Sequence, residues 1–145
     1  MGLFDFIKDA GKAIGLVNEP GAGERLVKEI RSLDLDVEDL SVNFSDGLAK
    51  ISGRVKTQEM REKVILAAGN VAGVEKVDDN LTVEQESPQA LFHTVVRGDT
   101  LSAIAKQFYG NPMKYMVIFK ANQPLLKDPD KIYPGQVLRI PEVKD

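Results

Sequence analysis

Few side chains of this 145-residue sequence have the type and spacing that catalysis or a side-chain metal site requires. The single histidine, His93, stands on a predicted strand, and no cysteine or second histidine is present to join it as a zinc ligand. Asp78 and Asp79 come closest to a paired carboxylate, but neighbours on a strand point to opposite faces and would not converge on one atom. We therefore expect a half-exposed His93, solvent-exposed or turn-capping aspartates, and no catalysis.

Main-chain oxygens are the other groups that could do chemistry. Apolar residues recur at helical spacing within residues 1–16, which predicts an amphipathic helix that weakens at Gly11. A second helix is predicted to end near Gly69, at the start of the glycine-containing segment 69–74. The final carbonyl groups of a helix lack intrahelical partners and carry negative dipole character. If the first helix docks beside this segment, oxygens from both could surround a cation; Schellman contacts or water are the alternative partners.

The kind of oxygen predicts the kind of ion. Calcium and magnesium sites use carboxylates to offset a double charge, whereas neutral carbonyl groups suit potassium and larger monovalent cations. A cage of main-chain oxygens would therefore favour potassium over a divalent ion.

Composition argues against several classes of protein. The formal charge is −3 and the basic residues are scattered among the acids, so the basic stripe of a nucleic-acid-binding protein is missing. Without cysteine there is no disulfide, thiolate site or lipoprotein acceptor. Charged residues interrupt the apolar N-terminus, and no apolar run is long enough to span a bilayer. We therefore expect a soluble, cytoplasmic monomer that keeps its first segment.

The first module is predicted after a glycine-rich linker at residues 17–23. Within residues 24–84 the pattern gives a helix, a hairpin that turns at Asp46-Gly47, a helix capped by Thr57, and a last strand. This αββαβ order predicts an α+β module with helices on one face of a small sheet. With "GLAKISGRV" and "GVEKVDDNL", the order resembles the BON domain, a small module of bacterial envelope and cytoplasmic proteins.

The second module follows a polar linker at residues 85–91. Residues 92–141 predict a strand, a helix capped by Asp99 or Thr100, a second helix and a final strand, a βααβ order. "VVRGDTLSAIAKQFYG" and "IYPGQVLRIP", at its two ends, resemble the LysM domain. The resemblance implies that N-acetylglucosamine units of peptidoglycan bind in a groove between two loops. The residues so implied are Gly98, Asp99, Thr100, Leu101, Ile132, Tyr133 and Pro134.

Two interpretations of these loops stay open. They could bind wall glycan, or the same residues could serve only the fold, with Gly98 in a turn, Asp99 as a cap and Leu101 in the core. The lack of a recognisable export signal favours the structural interpretation.

Taken together, "MGLFDFIKDAGK", the BON-like module and the LysM-like module are similar, end to end, to the small cytoplasmic bacterial potassium-binding proteins of BON–LysM architecture. The resemblance implies that the BON part binds potassium, with a conformational change that also engages LysM. The ligands that it implies are the backbone carbonyls of Ile7, Ala10, Gly69, Val71 and Val74. The sequence therefore predicts a non-enzymatic ion sensor or buffer that compacts because the ion selects the form in which these oxygens meet.

Two other functions are left open. The LysM-like loops could make the protein a peptidoglycan adaptor at the cell envelope. The apolar first helix could lie on a membrane surface, although its polar face carries acids as well as lysines, which argues against anionic lipid.

Overall fold

A computed structural model describes residues 2–8, 10–14 and 21–142 of the chain. The chain divides into two compact units, the first ending at Gln89 and the second beginning at Ala90. Both combine helices with a small sheet, which confirms the predicted α+β class. Within the described ranges, no helix has the length and apolar character needed to cross a bilayer. Most of the predicted linker at 17–23 lies outside the described residues.

The described part of the first unit contains two helices and four strands. These are β1 (Gly2–Asp5), α1 (Ala22–Ser32), β2 (Glu38–Ser45), β3 (Leu48–Thr57), α2 (Gln58–Gly69) and β4 (Lys76–Gln85). The strand order in the sheet is β1-β4-β3-β2, with β3 and β4 parallel and the other two pairs antiparallel. From α1 onward the elements follow the predicted αββαβ order.

Local sequence determines the hairpin and the start and end of α2. Asp46 and Gly47 join β2 to β3, and their φ angles of 49° and 80° are both positive, as a tight two-residue hairpin turn requires. The Thr57 hydroxyl caps α2 by accepting a hydrogen bond from the Met60 N–H at 3.1 Å. Gly69 is the last residue of the helix. These three features confirm the predictions made for them.

Asp79, on β4, is not exposed as predicted. Its side chain is 1% exposed, and one carboxylate oxygen accepts a hydrogen bond from Arg61 Nε at 2.6 Å. The other oxygen accepts from the Leu81 N–H at 3.0 Å. Because Arg61 belongs to α2, the buried charge is neutralised across the interface between helix and sheet. The prediction of a solvent-exposed or turn-capping residue is therefore wrong for Asp79, whereas Asp78 is half-buried.

The predicted N-terminal helix is wrong, because residues 2–5 form an edge strand that pairs antiparallel with β4. Burial here has a period of two: Phe6 is 7% exposed and Phe4 is half-buried. Leu3 and Ile7, two members of the predicted helical stripe, are 59% and 52% exposed. A short helix gains little stability by itself, whereas the edge of β4 offers backbone hydrogen bonds and a surface for both phenylalanines.

In its described residues, up to position 142, the second unit contains a two-stranded antiparallel sheet and two α-helices. Its elements are β5 (Leu91–Thr94), α3 (Leu101–Tyr109), a 3₁₀ turn (Pro112–Lys114), α4 (Tyr115–Ala121) and β6 (Val137–Ile140). This confirms the predicted βααβ order. Buried aliphatic side chains from α3, α4, β6 and the chain between the elements form its core, namely Val95, Leu101, Ile104, Ala105, Ile118, Leu126, Leu138 and Ile140.

Asn122 joins the end of α4 to β6. Its side chain is buried, and its amide nitrogen donates to the carbonyls of Ile118 and Arg139 at 2.8 and 2.9 Å. Its amide oxygen accepts from the Arg139 N–H at 2.8 Å. The side chain thus takes the place of a neighbouring strand for β6.

Replacing Asn122 by alanine should destabilise the second unit by about 2–3 kcal/mol, because three buried backbone groups lose their partners. All three tyrosines of the chain lie in this unit and there is no tryptophan, so tyrosine fluorescence during denaturation reports on it selectively. The exposed neighbour provides the control, since Gln123→Ala should leave the midpoint nearly unchanged. Equal midpoints for the two variants would contradict this role for Asn122.

Candidate functional site

The chain that follows β1 lies against the chain that follows α2. We call residues 6–8 and 10–12 the N-terminal segment and residues 69–75 the α2-end segment. Four backbone hydrogen bonds join them. The Phe6 N–H donates to the Glu75 carbonyl at 2.8 Å, and the Gly73 N–H donates to the Lys8 carbonyl at 2.6 Å. The Lys12 N–H donates to the Asn70 carbonyl, and the Ala72 N–H donates to the Lys12 carbonyl, each at 2.9 Å. The two regions that the sequence predicts to supply main-chain oxygens are therefore neighbours.

Two of these bonds change the end of α2. If the helix continued, the N–H groups of Ala72 and Gly73 would donate to the carbonyls four residues earlier, those of Ala68 and Gly69. Both N–H groups donate instead to carbonyls of the N-terminal segment. The Gly69 carbonyl thus lacks its helical partner at the end of the helix where the dipole is negative.

The ring of Phe6 fixes the position of the N-terminal segment on α2. A Cβ atom at Gly69 would overlap the Cζ, Cε1 and Cε2 atoms of the Phe6 ring, so the ring occupies the space that any other residue at Gly69 would need. Phe6 is buried in this contact, and its N–H is bonded to Glu75. Side-chain packing and backbone bonding therefore act on the same residue.

The five carbonyl groups implied as ligands all belong to these adjoining segments. The Ile7 carbonyl accepts a hydrogen bond from Ala10 N–H at 3.2 Å, and the Val71 carbonyl accepts one from Val74 N–H at 3.1 Å. A carbonyl oxygen has two lone pairs, so one hydrogen bond leaves it able to bind a cation. The ligand set stays a prediction. The segment that contains two of its members, Ile7 and Ala10, lies beside the segment that contains the other three, Gly69, Val71 and Val74.

The end of α2 has negative dipole character, whereas the N-terminal segment carries the lysines Lys8 and Lys12. The last turn of α2 carries no basic residue that would offset the negative end of the helix. The Lys12 ammonium, which could compete for the same oxygens, is paired with the Glu29 carboxylate of α1 at 3.0 Å. In the described part of the chain, no cluster of three or more His, Cys, Asp or Glu side chains could hold a metal. The region therefore offers main-chain oxygens as cation-binding groups, beside the exposed carboxylate of Glu75.

Sequence reasoning missed Phe6 as the residue that brings the segments together. The available signal was the alternation of Phe4 and Phe6 with Leu3, Asp5 and Ile7, which is the period of a strand. The contact with Gly69 has no signal in the sequence, because it joins residues far apart in the chain.

A second candidate site lies in the LysM-like unit. Val95 N–H donates to the Gln136 carbonyl, and Gly135 N–H donates to the Val95 carbonyl, each at 2.8 Å. These bonds hold the end of β5 beside the start of β6, so the two predicted glycan-binding loops leave the same end of the sheet. Among the predicted contacts, Gly98, Thr100 and Pro134 are exposed.

The remaining predicted contacts are partly used by the fold. Ile132 and Tyr133 are half-buried, and the Leu101 side chain is 3% exposed within the core. The Thr100 hydroxyl caps α3 by accepting from the Ala103 N–H at 3.0 Å. The side chain of Leu101 therefore cannot provide the apolar glycan contact expected of it, whereas backbone groups of the loop can still reach a sugar.

Asp99 fixes the first of these loops. Its carboxylate accepts from the Val96 N–H at 2.9 Å and faces His93 Nε2 at 3.0 Å, while the His93 ring packs edge-on against Phe108. The hydrogen bond from Val96, followed by the contact with His93, lowers the pKa of Asp99 below its ordinary value. The carboxylate therefore stays ionised at neutral pH, and the stability it adds is lost only as the pH falls through that lowered pKa.

Both units match known domain families. Residues 23–85 match the family model of the BON domain, and residues 93–141 match that of the LysM domain. The matched ranges fall in the first and second units respectively.

Three relatives give a wider comparison. Potassium binding protein Kbp of Escherichia coli O6:H1 is 43% identical over 148 aligned residues, which cover 98% of this chain and 99% of that protein. An uncharacterized protein of Deinococcus radiodurans is 49% identical over 49 residues, 34% of this chain and 19% of that protein. An esterase of Mycobacterium tuberculosis is 33% identical over 118 residues, 81% of this chain but only 24% of the esterase. On the strength of the first match and the two domains, this chain belongs to the BON–LysM family of Potassium binding protein Kbp.

Proposed function

We propose that the first unit binds potassium, and larger monovalent cations, through main-chain carbonyls where the N-terminal segment meets the α2-end segment. The observation that carries the proposal is the diversion of the Ala72 and Gly73 N–H groups to the N-terminal segment, which frees oxygen at the end of α2. The proposed ligands are the carbonyls of Ile7, Ala10, Gly69, Val71 and Val74.

The environment of these oxygens suits a singly charged ion. Val71 and Val74 are 1% and 0% exposed, and the attraction between an ion and a carbonyl dipole is stronger away from water. Neutral oxygens do not offset the cost of removing water from a divalent ion, because they bring no full negative charge. They can replace the weaker hydration shell of potassium.

The family relationship supports the same ion. The relative that matches 98% of this chain carries the name Potassium binding protein Kbp. Since main-chain atoms would bind the ion, the site can persist through substitution of many side chains, provided that the segments still meet.

The protein acts, in this proposal, as a cytoplasmic, monomeric and non-enzymatic sensor or buffer. The N-terminal segment is held by the Phe6 ring, four backbone bonds and the pair between Lys12 and Glu29. An ion that binds only when both segments supply oxygens will select the docked form, so occupancy compacts the protein by population shift.

Calorimetric titration with KCl and with NaCl, at ionic strength held constant with choline chloride, tests the function. We expect saturable binding of potassium and affinity for sodium weaker by about tenfold or more, because a cage of fixed oxygens closes poorly on a smaller ion. Indistinguishable heats for the two salts would contradict potassium binding.

Replacing Phe6 by alanine should weaken potassium binding by about tenfold or more, because the docked form becomes less populated before the ion arrives. The second unit should keep its tyrosine fluorescence and its denaturation midpoint. Leu3→Ala is the matched control: it removes a 59% exposed side chain from β1, the strand that leads into the segment, and should leave the affinity unchanged. Equal affinity in both variants would argue against a site that depends on docking.

Peptidoglycan binding by the second unit is the other candidate function. It is favoured by the match to the LysM domain and by the two loops that leave the same end of the β5–β6 sheet. The exposed backbone at Gly98 and Pro134 would contact the acetamido groups of N-acetylglucosamine, with Ile132 and Tyr133 beside them. In this role the protein would be an adaptor at the cell envelope.

Sedimentation with insoluble peptidoglycan tests this candidate. The full chain should pellet with the glycan and be released by chitin oligosaccharides, which carry the same N-acetylglucosamine units. A chain that stays in the supernatant at all glycan concentrations would leave the two loops with a structural role alone.

A further inference from the structure

We infer that Gly11 sets the separation of the two segments and thereby the size of ion that the site prefers. The inference rests on the proposed function, since it concerns the selectivity of the same site. Gly11 follows Ala10, whose carbonyl is a proposed ligand. The residue that it contacts, Asn70, stands between two further proposed ligands, Gly69 and Val71.

The contact at Gly11 is between two backbones. A Cβ atom at this position would overlap the Asn70 carbonyl oxygen, and would lie 2.7 Å from its carbon and 3.2 Å from the Val71 nitrogen. The Lys12 N–H donates to that same Asn70 oxygen at 2.9 Å, so the contact lies inside the hydrogen-bonded junction. Rotation of a side chain cannot relieve such an overlap, because every atom involved belongs to the main chain.

A methyl group at Gly11 would therefore move the segments apart. Restoring ordinary carbon–carbon contact requires a displacement of roughly 1 Å. Oxygens that move apart by this amount fit a larger ion better, so preference should shift from potassium towards rubidium and caesium. Gly11 acts on the ion only by holding the ligands at their spacing, and is a positioning residue.

Gly69 differs from Gly11 in what it contacts. A Cβ at Gly69 would meet the far end of the Phe6 side chain, which can swing away and release the segment. A change at Gly69 should therefore affect how often the segment docks, and with it the affinity for every ion by a similar factor. A change at Gly11 should alter the ratio of affinities between ions.

The chain offers a matched control for backbone strain. Gly11 has a φ angle of 100°, and Gly21, at the start of α1, has a φ angle of 98°. Both conformations are unfavourable for alanine. Among the described residues, a Cβ at Gly21 meets nothing within 4 Å, so Gly21→Ala imposes the strain without an overlap with any of them.

The test is calorimetric titration of the full chain, Gly11→Ala and Gly21→Ala with KCl, RbCl and CsCl at constant ionic strength. In Gly11→Ala the ratio of caesium affinity to potassium affinity should rise by about tenfold, whereas Gly21→Ala should keep the ratio of the unmodified chain. Loss of affinity for all three ions by one factor, or loss of all binding by folded Gly11→Ala, would overturn the inference. If the unmodified chain binds none of the ions, the proposed function fails and the inference with it.

If Gly11→Ala does not fold, the unmodified chain still provides a test. The hydrogen bond from Lys12 N–H to Asn70 lies beside the contact between Gly11 and Asn70. If that contact sets the separation, the Lys12 amide proton should have the same chemical shift at saturation with potassium, rubidium and caesium. The Gly98 amide, in the second unit, should not change with the ion. A Lys12 amide proton that shifts progressively upfield from potassium to rubidium to caesium would show that the ion sets the separation, and would overturn the inference.

Discussion

The proposed cation site depends on one packing contact, that of the Phe6 ring with the backbone of Gly69 at the end of α2. This contact holds the N-terminal segment in a position where its carbonyls accept hydrogen bonds from the N–H groups of Ala72 and Gly73. The Gly69 carbonyl then lacks its helical partner at the negative end of the dipole. Without the ring in place, those two N–H groups would be available to the helix again. The carbonyl oxygens of the two segments would then no longer be held close enough together to bind one ion.

The rest of the first unit supports that contact. Pairing of β1 with β4 leads the chain directly into Phe6, and the pair between Lys12 and Glu29 connects the far end of the segment to α1. The segment is thus attached at both ends to the sheet and to a helix. These attachments are few compared with the core, so an ion with a modest difference in affinity for the two forms can shift the docking equilibrium.

Features that depend on neighbours in sequence were predicted, and features that depend on distant partners were not. The turn at Asp46-Gly47 and the Thr57 cap follow from backbone preference and a hydrogen bond three residues away. The N-terminal strand could not be predicted in this way, because its apolar residues fit both the helical and the strand period. Pairing with the edge of β4 determines that the segment is a strand. The burial of Asp79 likewise required Arg61, which only the packing of α2 brings to it.

The central claim is that main-chain oxygens from both segments surround a monovalent cation, and anomalous diffraction from crystals grown in rubidium chloride tests it most directly. The account predicts a rubidium peak between residues 7–10 and residues 69–74, at coordination distance from carbonyl oxygens of both. A peak held only by side-chain carboxylates, or no ordered rubidium beside the end of α2, would contradict it.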